Sequence, residues 1–381
     1  MKKALIYDWY TFFGGAERCN ESFTNIWPEL DHFALVDFLD NNERKTILKG
    51  KSVFTSFIQK LPFAKTHYRI YLPLFPFAIE QFDLAEYDLI LSCSSCISKA
   101  VITNHQQLHI SYVLSPARYA WDLYHQYLRE SNLNKGFRGL IAKWVLHYLR
   151  NWDINTANRP DHYITLSKYV AGRIKKLYGK ESIVIYPPVD VDSFTVSHET
   201  SDYFITSSRM VPYKKIDMIV EAFSRSNHKL IVIGDGPDMK KVKSKSSDNI
   251  SILGYIEKKK MISLTQKAKA FIFAADEDFG IAPVEAQACG VPVIAFGKGG
   301  VLETVLGKFT NQKISLNDTG VFYEKQTPES LLHAVSFFLK NEKKFNKKVI
   351  RKHAEFFSTK RFETEIKQTV ERLYNNWKNP S

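Results

Sequence analysis

Two glutamates, an arginine and a lysine stand where apolar runs give way to turns, and they are the residues of this chain best suited to chemistry. The run Ala270 to Ala275 leads into Asp276-Glu277-Asp278-Phe279-Gly280-Ile281-Ala282-Pro283-Val284-Glu285. The pattern predicts a strand, an acidic turn and then a helix. Gly280 permits close backbone approach, Pro283 suits a first helical turn, and Gly290 suits the C-terminal cap. The unpaired N–H groups at such a helix start favour a phosphate. A carboxylate can accept two hydrogen bonds from the vicinal diol of a ribose or hexose. Glu277 and Glu285, about two helical turns apart, could both face one cleft. Alone they would read as surface acids.

They are not alone. Arg209 and Lys214 follow a second run, Tyr203 to Thr206, and precede the helical pattern Ile216 to Phe223. Two fixed cations can offset the charge that develops on a departing diphosphate without a metal. The plainer reading is a pair of surface cations. Gly234-Asp235-Gly236-Pro237, Gly254-Tyr255 and Gly297-Lys298-Gly299-Gly300 close three further runs. None is a dinucleotide fingerprint, since the third glycine of G-x-G-x-x-G is missing from each, but all make sense as tight turns along a ligand-binding edge.

Such turns need parallel strands behind them, because ligands of open parallel sheets lie beyond the strands' carboxyl ends. The runs Ala4 to Tyr7, Leu89 to Leu91, His109 to Leu114 and Tyr163 to Leu166 come first. Ile183 to Tyr186, Tyr203 to Thr206, Leu230 to Ile233, Ile250 to Leu253, Ala270 to Phe273 and Val293 to Phe296 follow, alternating with helical patterns. This is the rhythm of α/β sheets covered on both faces. With 381 residues the chain suits two domains. Adjacent Pro187 and Pro188 mark the break, and from Pro328 onward the pattern is helical, with Leu331, Leu332, Val335 and Phe338 on one face.

Composition narrows the classes. Apolar residues make up 44% and charged residues 24%, ordinary for a globular protein. An aspartate at position 8 leaves no room for a signal-peptide core after the two lysines, so the expected location is the cytoplasm. The tract Ile70 to Ile79, interrupted by Pro73 and Pro76, is too short to span a bilayer. Four scattered cysteines give no disulfide framework, and Cys93-Ser94-Ser95-Cys96 reads as a turn after a strand Tyr87 to Ser92. The net charge of +13 suits an anionic partner. Without a zinc-finger or RNP-type signature nucleic acid is not expected, whereas an anionic membrane face or a phosphorylated substrate fits.

Arg209 to Lys214, Gly234 to Pro237, and Glu277-x7-Glu285 with Phe279-Gly280 and Pro283 resemble the donor-site motifs of family 4 glycosyltransferases. The resemblance extends to Gly14-Gly15-Ala16-Glu17, to Tyr186-Pro187-Pro188-Val189-Asp190 and to Arg118-Tyr119-Ala120-Trp121-Asp122. It is nearest to bacterial enzymes that use GDP-mannose in building surface polysaccharide. The resemblance implies the GT-B fold, in which two Rossmann-like domains have parallel sheets facing across a cleft. The implied domains are 1–188, which binds acceptor and takes back a terminal helix from about 360 to 381, and 189–359, which binds donor. It also implies retention of the anomeric configuration, no cofactor and no metal.

By that likeness Glu277 addresses the donor hexose, Glu285 the ribose, and Arg209 with Lys214 the diphosphate. The amides of Phe279, Gly280 and Ile281 face the sugar and phosphates, Gly234 and Tyr255 belong to the donor pocket, and Gly14 and Gly15 form a loop that approaches the donor. Asp8, Arg118 and Trp121 are acceptor-side candidates. The implied partners are a nucleotide-sugar and a glycan or polyprenyl-linked acceptor. Separately, the charge surplus and aromatic-basic segments such as Phe137 to Trp152, which equally suit a core helix of the first domain, point to peripheral contact with an anionic membrane at the cytoplasmic face of the inner membrane. Leu114 and Cys96 depart from the pattern, since relatives often carry histidine there. Two alternatives stay open. Asp276-Glu277-Asp278 also mimics the D-x-D of a metal-dependent GT-A enzyme, as does Asp190-Val191-Asp192, and the absent histidines would suit a degenerate protein that binds nucleotide-sugar without turnover.

Overall fold

The computed structural model describes residues 1–131 and 133–379. The chain divides into two units, Met1–Pro188 with Phe362–Ser381, and Val189–Arg361. Residues 380 and 381 of the segment expected to return to the first unit lie outside the described residues.

The first unit is built on seven parallel strands: β1 (Lys3–Tyr7), β2 (Asp31–Ala34), β3 (Val53–Thr55), β4 (Leu89–Ser94), β5 (Leu108–Val113), β6 (His162–Thr165) and β7 (Ile183–Val184). Their spatial order is β3-β2-β1-β4-β5-β6-β7. The central strands β1, β4 and β5 are buried at every position, which is why they read as continuous apolar runs rather than alternating ones. The helix Thr359–Lys378 contributes Phe362, set edge-on to Phe23 at 5.9 Å and to Tyr112 at 5.7 Å between ring centres. Ile366, Val370 and Leu373 continue its buried stripe at helical spacing.

The second unit has its own seven parallel strands: β8 (Phe204–Ser207), β9 (Leu230–Ile233), β10 (Ile250–Gly254), β11 (Phe271–Phe273), β12 (Val293–Phe296), β13 (Gly307–Phe309) and β14 (Gly320–Tyr323). They lie in the order β10-β9-β8-β11-β12-β14-β13. Phe204 anchors the core, with Phe223 at 5.4 Å and Phe338 at 6.2 Å between ring centres. Helix Pro328–Asn341 buries Leu331, Ala334, Val335 and Phe338, while Leu332 is only partly covered.

Several expectations are corrected. β2, β3, β13 and β14 were not anticipated, because each is four residues or shorter and begins with a polar residue, with glycine or in a polar surround. The strand before the C-x-x-C runs to Ser94 rather than ending at Ser92, so Cys93 is part of β4. Cys93 and Cys96 are buried free thiols, and burial pushes both well above the usual thiol range. Buried thiols held in the protonated form are poor nucleophiles, which suits a structural role for this pair.

Two buried histidines, His32 and His109, lie within the first sheet. His109 on β5 stands 2.9 Å from the Ser92 hydroxyl through Nε2, and burial lowers its pKa to about 3. Burial also lowers His32 on β2 to about 4. Both stay neutral in the fold, whereas in the unfolded chain they take up protons below about pH 6.5. Their contribution is therefore intact above that pH and is lost progressively as pH falls below it. Acidification from about pH 7 to about pH 5 should cost roughly 2 kcal/mol per histidine in denaturant titrations. His109→Gln should flatten that slope, and an unchanged slope would contradict the assignment.

Candidate functional site

In each unit the chain winds outward in both directions from the middle of the sheet. In the second unit the reversal falls between β8 and its neighbour β11, since β8 leads on to β9 on one side and β11 to β12 on the other. Adjacent loops there diverge and leave a gap at the carboxyl edge, the usual ligand position in such sheets. The residues expected to do chemistry flank this gap.

Lys214 ends a short 3₁₀ turn, Pro212–Lys214, and its ammonium is ion-paired to the Glu277 carboxylate. The two side chains are 19% and 16% exposed, so water reaches the pair only partly. The Lys214 ammonium also lies 5.4 Å from the centre of the Tyr213 ring. Loops from two different strands are thus joined through opposite charges that the sequence separates by 63 positions (277 − 214).

Neighbouring loops hold that pair in place. The Met210 amide donates to the Asp235 carbonyl at 2.8 Å, the Asp238 amide to the Met210 carbonyl at 3.1 Å, and the Gly234 amide to the Gly254 carbonyl at 2.8 Å. Gly234 has φ 125° and packs so tightly on Ser208 that a Cβ would overlap the Ser208 carbonyl. On the other side the Gly300 amide donates to the Glu277 carbonyl at 2.8 Å, and Lys298 pairs with Asp276 at 3.0 Å. Gly280, at φ 92°, turns the chain into helix Ile281–Ala288. Phe279 is buried against Phe357 at 5.5 Å, which fixes the turn from below.

The remaining expected residues are placed as follows. Arg209 is exposed on the loop after β8, and no ion pair to it occurs among the described residues. Glu285 is half-buried in the second turn of helix Ile281–Ala288, and Ile281 is half-buried at its start. Tyr255, just past β10, is 84% exposed. The structure therefore puts Lys214 and Glu277 in direct contact. Arg209, Gly234, Tyr255, Phe279, Gly280, Ile281 and Glu285 all lie on loops or a helix start at the same carboxyl edge.

In the first unit the corresponding gap lies between β1 and β4. Asp8, just past β1, is fully buried. Its Oδ2 accepts from the Ser95 amide at 2.7 Å and the Ser95 hydroxyl at 2.8 Å, and its Oδ1 from the amides of Ile97 at 2.9 Å and Ser98 at 2.8 Å. Four donors on one carboxylate make Asp8 the clamp of the loop after β4, a role its sequence position did not reveal.

Gly14 is the N-cap residue of helix Gly15–Ile26, and Gly15 begins that helix. The buried Glu17 in the first turn accepts from the Tyr7 hydroxyl at 2.7 Å, and burial raises its pKa. Trp121 donates through Nε1 to Asp153 at 2.8 Å. Asp153 is in turn paired with buried Lys99 at 3.0 Å and accepts from the Tyr178 hydroxyl. Sequence reasoning missed Lys99 and Asp153, since an isolated charge inside a helical pattern looks like surface. Arg118 is half-buried, Leu114 is buried, and the Cys96 thiol lies 2.7 Å from the Tyr119 hydroxyl.

Asp8→Ala would orphan four donors, three of them backbone amides. Unsatisfied buried donors cost about 1 to 3 kcal/mol each, so the first unit should lose on the order of 4 kcal/mol or more. Its denaturant midpoint checks this, and a shift within about 0.5 kcal/mol of the parent, the range of an ordinary surface change, would contradict the clamp.

Comparison with known proteins agrees with this geometry. Residues 190–355 match the family model "Glycosyl transferases group 1". A GDP-mannose-dependent monoacylated alpha-(1-6)-phosphatidylinositol monomannoside mannosyltransferase of Corynebacterium glutamicum is 30% identical over 172 residues, covering 37% of this chain and 45% of the relative. An O-antigen chain mannosyltransferase of Salmonella typhimurium is 29% identical over 151 residues, covering 36% and 43%. The chain thus spans less than half the length of these two relatives. Among solved structures, Anabaena HepE in complex with UDP aligns with TM-score 0.69 at 16% identity, over 98% of this chain and 100% of that one. Sucrose-phosphate synthase from Thermosynechococcus elongatus aligns at 0.71 and 15%, with the same coverage. Two all-parallel sheets and whole-length likeness to such proteins disfavour the GT-A alternative. The whole chain has the GT-B fold, and its residues 190–355 match the model of the glycosyl transferases group 1.

Proposed function

We propose that the protein is a retaining, metal-independent glycosyltransferase that moves a hexose, mannose from GDP-mannose, onto a glycan or lipid-linked acceptor in cell-surface polysaccharide or O-antigen synthesis. The observation that carries this reading is the Lys214–Glu277 pair at the strand-order reversal, inside the stretch matching the glycosyltransferase family. The names of three relatives, from Corynebacterium, Salmonella and Mycolicibacterium, support mannose, and two of those names specify GDP-mannose. UDP in the HepE complex makes the base worth testing directly.

In the proposed reaction the bond from the sugar's anomeric carbon to the diphosphate breaks, and its electron pair stays with the phosphate oxygen. Arg209 and Lys214 offset the charge that develops there, with the free amides at the start of helix Ile281–Ala288 beside them. Lys214 exchanges its carboxylate partner for phosphate as the donor arrives. Glu277 is thereby released to accept hydrogen bonds from hexose hydroxyls, while Glu285 takes the ribose diol. The acceptor hydroxyl enters from the face the diphosphate left, and its proton passes to a phosphate oxygen, so no protein base is required. Asp276 is paired with Lys298 and Asp190 with Lys258, arrangements that suit charge-balanced loops better than a D-x-D metal site.

Arg209→Ala and Lys214→Ala should each lose about 3 kcal/mol of transition-state stabilisation, on the order of a hundredfold in kcat/KM. Near-normal turnover in both variants contradicts the role. GDP should raise the melting temperature more than UDP or ADP. Stabilisation by nucleotide with neither donor hydrolysis nor transfer would identify a degenerate binder. Activity lost in EDTA and restored by manganese would establish a metal requirement against the proposal.

A further inference from the structure

Helix Gly136–Asn155, 20 residues long, has two apolar faces where a helix on the surface of a globular domain needs one. Gly139, Leu146, Leu149 and Asp153 are buried, and Leu146 packs in a cluster with Ala117, Ala120 and Leu128. At about 3.6 residues per turn, Phe137, Leu140, Ile141, Trp144 and Tyr148 fall on the opposite side. That side is open to solvent: Phe137 is 77% exposed, Leu140 65%, Ile141 47% and Trp144 66%. Trp144 and Tyr148 stack on each other there, with ring centres 6.2 Å apart. A run of large apolar side chains this exposed marks an interaction surface rather than scattered surface residues.

The charges on the helix indicate what it meets. Arg138 flanks the apolar stripe on one side and Lys143 on the other, whereas Arg150 turns inward, donating to the Ala120 carbonyl at 3.0 Å over the Tyr124 ring. The one acidic residue of the helix, Asp153, is buried and paired with Lys99. The outer face is therefore aromatic and aliphatic, with one exposed cation on each side and no acid. A second segment of the same unit continues this character. Phe63, Ile70 and Phe77 are 73%, 58% and 65% exposed, among Lys60, Lys65 and Arg69. Phe77 lies one turn before Glu80, the carboxylate to which Trp152 of the long helix donates at 3.2 Å. Elsewhere part of the lysine surplus is tied up, as Lys241 and Lys245 pair with Asp217, but no such pair is formed by Arg138 or Lys143 among the described residues.

From this we infer that the outer face of helix Gly136–Asn155 is a docking surface for an anionic lipid bilayer, on which the helix lies flat. Aromatic rings and aliphatic side chains enter the headgroup boundary while the flanking cations meet lipid phosphates. Among the described residues no helix is long and apolar enough to cross a membrane, so contact of this helix is in the plane. A second copy of this chain fits the face less well, because self-packing would bring like charges together with no acid on the face to balance them. The inference deepens the proposed use of a lipid-linked acceptor by naming the surface that brings the first unit to it. The two are separable, since none of the residues proposed to bind donor lies on this helix.

Flotation of the full chain with phosphatidylcholine vesicles, with and without phosphatidylglycerol, tests it. Binding should be about tenfold stronger with the anionic lipid and should weaken as salt is raised. The double variant Phe137→Ser with Trp144→Ser should lose it, while its melting temperature and donor hydrolysis stay those of the parent. Arg138→Gln with Lys143→Gln should reduce binding to anionic vesicles and leave weak binding to neutral ones unchanged. Equal flotation of parent and Phe137/Trp144 variant, or no preference for phosphatidylglycerol, overturns the inference. A parent that is dimeric by light scattering and becomes monomeric in that variant also overturns it, in favour of a second copy.

Discussion

A parallel sheet wound outward from its middle leaves one gap at its carboxyl edge, where neighbouring loops part company, and the two units fill that gap by different means. In the first, Asp8 gathers four donors from the loop after β4 and closes the seam with a buried carboxylate. In the second, Lys214 and Glu277 face each other across it as a mostly covered ion pair. Desolvation of both charges offsets much of their attraction, so such a pair is weak evidence of a role in stability. Its charges are carried on loops that are themselves laced to the loops after β9 and β12.

That difference explains why the sequence was legible in some places and silent in others. The long central strands announced themselves as unbroken apolar runs, and β9 and β12 were found at their observed limits, Leu230–Ile233 and Val293–Phe296. The four missed strands, β2, β3, β13 and β14, draw on pairing with neighbours rather than on their own composition, and no local pattern carries that information. The turns of the second unit could be read because glycine, proline and charge coincide at strand ends. The joining of Lys214 to Glu277 could not, since it depends on β8 and β11 lying side by side, and strand order is a property of the whole sheet.

The first unit shows the opposite failure. Asp8 was noticed for its charge and thought to face a ligand, yet it turns inward to backbone amides, because a buried acid and a catalytic acid look alike in a sequence. Lys99 and Asp153 went unnoticed for the same reason, and together they hold the indole of Trp121. In helix Gly136–Asn155 apolar side chains stand on both sides, and the sequence alone does not say which side packs. Only burial separates the face that packs from the face left open.

The central claim is that acids and cations from separate loops of the second unit meet a single sugar-nucleotide. Hydrogen–deuterium exchange with and without GDP-mannose addresses it most directly, since it reports every loop at once. The account predicts coordinated protection of residues 208–214, 234–238 and 276–285. Protection confined to other segments, or of only one of these three, would contradict it.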